Sequence, residues 1–226
     1  MRMKTQTNFR GWKLAEGAGL VAGLGYSGTD YDGRNKWNRL QNVNIRQIEM
    51  APNLRVLLSG WNANTAEWLR YSIYNRIYSK GSQNSSTVAT IVTFLLSAFW
   101  HGYYPGYYLT FLGMAWLTDI SRNCRKYLRP LFLTRLEKYR LFYDISGWFF
   151  TQLLLAYNMP AFVLRRIDLT TKFYATTYYH GHIIFLLSSL FFLVGGGNLL
   201  KYFLPSNNDE QDIKKVDDSS EEKKKD

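Results

Sequence analysis

"VATIVTFLLSAFWHGYYPGYYLTFLGMAWL", Val88 to Leu117, contains no Asp, Glu, Lys or Arg. His101 is the one group in it that titrates near neutrality. A membrane-spanning helix needs about 20 consecutive apolar residues, and this run is longer. Pro105 has no N–H and Gly106 is conformationally free, so a kink or a broken helix is expected between two helical pieces. The stretch sets the expected fold class: all-α, a polytopic integral membrane protein. It also raises a question about the imidazole at its centre. An ionisable group at membrane depth is costly and often marks function. The plainer alternative is a buried histidine hydrogen-bonded to a neighbouring carbonyl.

Working outward, Trp148–Leu164 is a second apolar segment, with Pro160 near its end, and Ile183–Leu200 is a third, ending in "GGGN". Between the first two, "DISRNCRKYLRPLFLTRLEKYR" (Asp119–Arg140) reads as a basic connector. Upstream, "SKGSQNSS" (Ser79–Ser86) is a polar break. From Ile45 to about Tyr78 the pattern is helical and amphipathic: Trp61, Thr65, Trp68, Leu69 and Ser72 fall on one side, with Asn62 adjacent. Residues 27–44 are rich in turn formers and read as a loop. "LAEGAGLVAGLGY" (Leu14–Tyr26) is short, Gly-rich and interrupted by Glu16. It follows a basic N-terminus that has no apolar run long enough for a signal peptide or a first span. The chain reads as starting part-way into a larger architecture. The expected organisation is one membrane unit over residues 1–205 and a charged, disordered tail over 206–226, where no apolar periodicity remains.

The balance of charges agrees with that picture. The net charge of +11 calls for an anionic partner. The basic residues flank apolar segments, as in "RNCRKYLRP" and Arg165–Arg166, so a membrane surface fits better than nucleic acid. Aromatic residues make up 17% of the chain, a load that suits interfacial belts. The single cysteine, Cys124, excludes an intrachain disulfide and sits in a basic stretch away from any histidine, as a structural residue would.

Several reaction classes lack their residues. There is no GxSxG nucleophile elbow and no GxxxxGK[ST] phosphate loop. "GAGLVAG" (Gly17–Gly23) is not the dinucleotide fingerprint, and no strand is expected before it. His180 and His182 in "YYHGH" lack further ligand candidates nearby, so no metal is expected. Two residue types remain with suitable chemistry. A neutral imidazole at His101 accepts a proton from an alcohol and returns one later. Gly102, Pro105 and Gly106 beside it give a substrate room to approach. An amide at Asn62 orients a hydroxyl or donates to a developing oxyanion. The alternative for Asn62 is a helix-surface or capping residue, and Asn64 is an equal candidate on residue type alone.

The quoted stretch contains "WHGYYPGYY" (Trp100–Tyr108), which closely resembles the WHGxxPGY signature of the membrane-bound O-acyltransferase family. "WNANTAEWLRYSIYNR" (Trp61–Arg76) resembles the WNxxTxxWL segment of that family's lysophospholipid acyltransferase branch. Tyr157 and Phe162 fit a Y-x4-F element, and Tyr174, Tyr178, Tyr179 and His182 fit a Y-x3-YY-x2-H element. Trp37–Asn38 stands where the family often has Trp-Asp. The resemblance covers about Trp12 to Leu204 and corresponds to the C-terminal part of such enzymes.

What the resemblance implies is acyl transfer from acyl-CoA to the free hydroxyl of a lysophospholipid. His101 would be the general base and Asn62 its catalytic partner. Trp61, Thr65, Trp100, Gly102, Gly106, Tyr107, Tyr178, Tyr179 and His182 would be the substrate-binding residues. No cofactor is implied beyond acyl-CoA as co-substrate. The implied partners are acyl-CoA, the lysophospholipid and the bilayer, with a second copy or a full-length relative as a further association. Two alternatives stand beside this: a catalytically silent membrane module, and a family enzyme with a sterol or protein acceptor. The end "KKKD" places lysines third and fourth from the C-terminus, as in a dilysine retrieval signal. That implies an endoplasmic reticulum membrane and a cytosolic C-terminus.

Overall fold

The computed structural model describes residues 2–79, 83–133 and 136–202. The tail over 206–226 and its lysines lie outside the described residues. Most of the described chain is helical, as expected, with one small β-ribbon. The chain divides into two compact units, Met1–Trp100 and His101–Asp226.

The first unit opens with α1 (Arg2–Val21), which takes in most of the Gly-rich stretch. The helix stops where Gly23 turns to a φ of +77°. Its N–H donates to the Leu20 carbonyl (2.9 Å) and the Leu24 N–H to the Gly19 carbonyl (3.0 Å), a Schellman ending that needs glycine at that point. In the expected loop, β1 (Gly28–Thr29) pairs antiparallel with β2 (Asn35–Lys36), Gly28 facing Lys36. The turn between them is held by Asp30 Oδ1, which accepts from the backbone N–H of Asp32 (3.0 Å) and Arg34 (2.8 Å).

The amphipathic stretch from Ile45 to Tyr78 differs from the single helix that its periodicity predicts. It consists of α2 (Ile45–Glu49), α3 (Leu54–Gly60), α4 (Ala63–Leu69), a π-helical turn over Arg70–Tyr74, and α5 (Asn75–Ile77). Asparagines start the pieces. Asn44 Oδ1 accepts from the Gln47 N–H (3.0 Å) and Asn53 Oδ1 from the Val56 N–H (3.1 Å). Pro52 cannot continue a helix through the first break. Asn62 makes the second break by adopting the left-handed conformation, φ +48° and ψ +52°. Phe9, Val43 and Ile48 form the buried core of this region, with Trp12 and Trp61 packed on it. α6 (Gln83–His101) follows the polar break.

In the second unit, Gly102 adopts φ +122°, which favours glycine, and the chain turns through Tyr103 and Tyr104. α7 (Pro105–Leu133) then begins. The break that Pro105 and Gly106 lead one to expect is present, placed at residues 102–104. Pro105 sits at the first helical position, where its missing N–H removes no bond. Much of the expected basic connector is helix instead: α7 runs into it as far as Leu133, with Pro130 inside. Arg, Lys and Leu are good helix formers, and Asp119 and Arg122 pair at i,i+3 (3.5 Å), so the charges decorate a helix rather than end it. α8 (Arg140–Leu164) begins earlier than its apolar core suggests. α9 (Ile167–Thr176), α10 (His180–Leu193) and α11 (Gly196–Tyr202) complete the unit. The third apolar segment is thus two helices, split where Gly195 takes φ +99°.

α7 and α8 pack closely because α7 carries glycines on the shared face. A Cβ at Gly106 would strike the Ala161 carbonyl and come within 2.7 Å of Arg165 Cα; one at Gly113 would strike Asn158 Oδ1. Asn158 is only 3% exposed and donates from Nδ2 to the Thr110 carbonyl (2.9 Å), so the buried amide is satisfied across the two helices. Among the described residues no helix is long and apolar enough to cross a membrane. α10 is strongly apolar but spans 14 residues, and Gln152, Tyr157, Asn158 and Pro160 interrupt the apolar run of α8.

Candidate active site

Asn62 stands at the N-cap position of α4 and yet does not cap it. Its backbone carbonyl accepts from the Ala66 N–H (3.0 Å), which starts the helix. Its side chain is held from the loop instead: Asn42 Nδ2 donates to Asn62 Oδ1 (3.0 Å). Asn42 also accepts at Oδ1 from the Asn64 N–H (3.1 Å) and at its own carbonyl from the Ala63 N–H (2.9 Å). One loop residue therefore grips Asn62, Ala63 and Asn64 in turn. Asparagine tolerates the left-handed region better than most residues, at a cost of order 1–3 kcal/mol that surrounding contacts must hold. With Oδ1 accepting from Asn42, Nδ2 remains as the donor end of the Asn62 amide. The capping alternative for Asn62 does not hold, and Asn64 is distinguished from it: Asn64 is tied through its backbone.

The neighbours of Asn62 in its motif divide by role. Trp61 packs edge-on against Phe9 (5.8 Å between ring centroids) and Trp12 (5.4 Å), so its indole belongs to the core. Thr65 and Trp100 line a groove of about 690 Å³ together with Asn64, Trp68, Leu69, Leu96, Ser97 and Phe99. This groove lies within the first unit, between α4 and α6, and its walls are mainly apolar. An acyl chain is the kind of ligand that such walls accept.

His101 is the last residue of α6 and the first of the second unit. Three rings flank it. Phe111 stacks on the imidazole (5.1 Å, 25°), Phe162 meets it edge-on (5.2 Å, 84°), and Tyr107 lies tilted against it (5.8 Å). The cup draws on α7 for Tyr107 and Phe111 and on α8 for Phe162. The glycines differ from the expected use. Gly102 leaves its side open, with a Cβ there only in ordinary contact with Tyr107 (3.7 Å), and its positive φ is the constraint. The room at Gly106 is taken by the chain itself, where α8 lies against it. Gly106 thus admits a helix and not a substrate.

The Tyr and His motifs converge on one cluster in the second unit. Tyr157 OH bonds His182 Nδ1 (2.6 Å), and the Tyr174 ring meets the His182 ring edge-on (4.6 Å). Gly181 lies so close to the Tyr157 ring that a Cβ would strike it. Tyr178 and Tyr179 both take φ +50° in the turn from α9 to α10. Tyr178 is 85% exposed and Tyr179 44%. His180 Nδ1 bonds the Thr177 carbonyl (2.8 Å), so the two histidines of "YYHGH" hydrogen-bond different partners while both rings pack on Tyr157 (4.7 and 5.5 Å).

Sequence reasoning missed three contributors. Asn42 lies 20 residues before Asn62 and carries no motif. Phe111 sits just past the signature. Phe162 was visible as a motif element, but its place against His101 needs the α7–α8 packing. Asn62, Trp61, Thr65 and Trp100 fall in the first unit; His101, Gly102, Gly106, Tyr107, Tyr178, Tyr179 and His182 fall in the second.

Comparison with known proteins gives a consistent result. Residues 1–164 match the membrane-bound O-acyltransferase family. Membrane-bound glycerophospholipid O-acyltransferase 2 of Homo sapiens is 39% identical over 167 residues, 74% of this chain and 30% of that protein. The lysophospholipid acyltransferase of Schizosaccharomyces pombe is 36% identical over 157 residues, 68% of this chain and 31% of its own length. That of Saccharomyces cerevisiae is 36% identical over 176 residues, 75% of this chain and 28% of its own. The matched region is thus less than a third of each of these relatives. The family match covers both the Asn62 and the His101 segments, and this chain belongs to the membrane-bound O-acyltransferase family.

Proposed function

We propose that this chain carries the acyl-transfer centre of a lysophospholipid O-acyltransferase. The observation that carries the reading is the Asn42–Asn62 clamp: an asparagine at an N-cap that is held out of capping, with its amide donor fixed. His101 Nδ1 or Nε2 takes the proton from the lysophospholipid hydroxyl as its oxygen attacks the thioester carbon of acyl-CoA. Asn62 Nδ2 donates to the carbonyl oxygen as it gains charge. The carbon–sulfur bond breaks, the acyl group stays as an ester on the lipid, and the CoA thiolate recovers the proton from His101.

The relatives' printed activities, glycerophospholipid and lysophospholipid acylation, support the acceptor class. A membrane setting is supported by the large side chains that α8 and α10 leave exposed, among them Phe142, Phe149, Phe150, Leu187 and Leu193. Within this reading the protein is multi-pass, resides in the endoplasmic reticulum membrane, and turns its C-terminal lysines to the cytosol. One experiment tests the activity. Membranes from cells without their own transfer activity receive the chain or its His101→Ala variant, with labelled oleoyl-CoA and a panel of lysophospholipids. Label in phospholipid that the variant loses is expected. Equal labelling by both would refute the assignment.

A further inference from the structure

We propose that Arg165 is a phosphate anchor at the mouth of the His101 cup. The inference rests on the acyltransferase reading and adds a ligand-binding group to it. Arg165 follows α8 and takes φ +62°, a conformation that favours glycine over a long side chain. Its backbone is pinned on both sides: its N–H donates to the Ala161 carbonyl (3.0 Å), and its carbonyl accepts from the Gly106 N–H (3.0 Å). Gly106 belongs to the same signature as His101, so the strained residue is tied to the signature turn. Strain held at such a place is a pointer to function.

The side chain supports this. The Arg165 guanidinium lies over the Tyr104 ring, 5.1 Å from its centroid. Tyr104 meets Tyr107 edge-on at 5.8 Å, and Tyr107 lies 5.8 Å from the His101 ring. On the other side, Phe162 is one helical turn before Arg165 and touches the imidazole directly (5.2 Å). The cation is therefore linked to the base by two short routes. Its neighbour is different: Arg166 is neutralised by a two-point contact with Asp168, Nε to Oδ1 (3.0 Å) and Nη2 to Oδ2 (2.7 Å). No carboxylate among the described residues pairs with Arg165, and it is exposed. A planar fork of donors, oriented on an aromatic face and left without an anion, is suited to a phosphate. Both co-substrates carry one: the head group of the lysophospholipid and the CoA moiety of the donor.

Arg165→Gly separates the role from the backbone, because glycine suits the positive φ while the cation and its contact with Tyr104 are removed. The assays use the full chain, solubilised in detergent and then in membranes. Binding is read first with radiolabelled oleoyl-CoA and with 1-oleoyl-lysophosphatidylcholine. The phosphate-free controls are S-oleoyl-pantetheine and monooleoylglycerol. Arg165→Gly is expected to weaken one phosphate-bearing ligand about tenfold or more, with its phosphate-free control unchanged and the melting temperature not lowered. Loss on lysophosphatidylcholine assigns the head group; loss on oleoyl-CoA assigns the donor. In membranes the same ligand's KM rises while kcat changes little. Wild-type chain that binds and is weakened by the substitution, yet shows no turnover, would keep the anchor and refute the acyltransferase reading. Equal binding by wild type and Arg165→Gly, or no phosphate-dependent binding by wild type, would overturn the anchor.

Discussion

Asn42 offers a way to turn the Asn62 amide without touching it. In the wild type Asn42 Nδ2 donates to Asn62 Oδ1 (3.0 Å) and Asn42 Oδ1 accepts from the Asn64 N–H (3.1 Å). Asn42→Asp keeps the acceptor for Asn64 and replaces the donor with a second acceptor. Asn62 then rotates its amide by half a turn, so that Nδ2 donates to the introduced carboxylate and Oδ1 faces outward. The hydrogen-bond count is preserved, so stability changes by less than about 1 kcal/mol. Catalysis loses its donor and gains a repulsive oxygen at the same place. Loss of one oxyanion donor costs about 10²–10³ in kcat, and that is the expected fall. Asn42→Ala is the contrasting variant. It deletes two side-chain bonds and releases a left-handed backbone, costing about 2 kcal/mol by the usual worth of such bonds. Initial rates of oleoyl transfer in membranes, with melting of the detergent-solubilised protein, measure both effects. An Asn42→Asp variant with wild-type kcat would refute the claim that the Asn62 amide acts through Nδ2.

Gly106→Ala places a methyl group against the Ala161 carbonyl and Arg165 Cα, both backbone and unable to yield. It is expected to destabilise the second unit by about 1–3 kcal/mol, read as a lower melting temperature, whatever substrate is present. Tyr157→Phe keeps the ring against Gly181 and deletes the bond to His182 Nδ1 (2.6 Å). A loss of about 1 kcal/mol in stability is expected from that single bond, checked by the same melting assay.

Local chemistry was legible where a residue acts on its own backbone. The break near Pro105 and the loop over 27–44 follow from residues that fix φ or lack an N–H, whereas Ile183–Leu200 reads as one run that Gly195 in fact divides. The signature pointed to His101 and Asn62 as well. Longer-range facts were not legible. The periodicity of Ile45–Tyr78 suits one helix, but Pro52, Asn53 and Asn62 divide it, Asn53 by capping and Asn62 by a left-handed turn held from a distant loop. The charge run at Asp119–Arg140 suggested a connector, although Arg, Lys and Leu there extend α7. Gly106 suggested room for substrate, and only the approach of α8 shows that the room is filled. The aromatic cup needs Phe162 of α8 brought to His101 of α6, a contact across 61 residues that no spacing rule reveals.

Asn62 and His101 lie in different units of the chain, and the proposed function assigns both to one reaction. The direct measurement is a double-mutant comparison of kcat for acyl transfer with wild type, Asn62→Ala, His101→Ala and the double variant. Residues that act as a unit are strongly non-additive. Each single substitution is predicted to lower kcat by about 10² or more, with the double variant no slower than His101→Ala. Losses that multiply, so that the double variant falls by the product of the two singles, would contradict a shared centre.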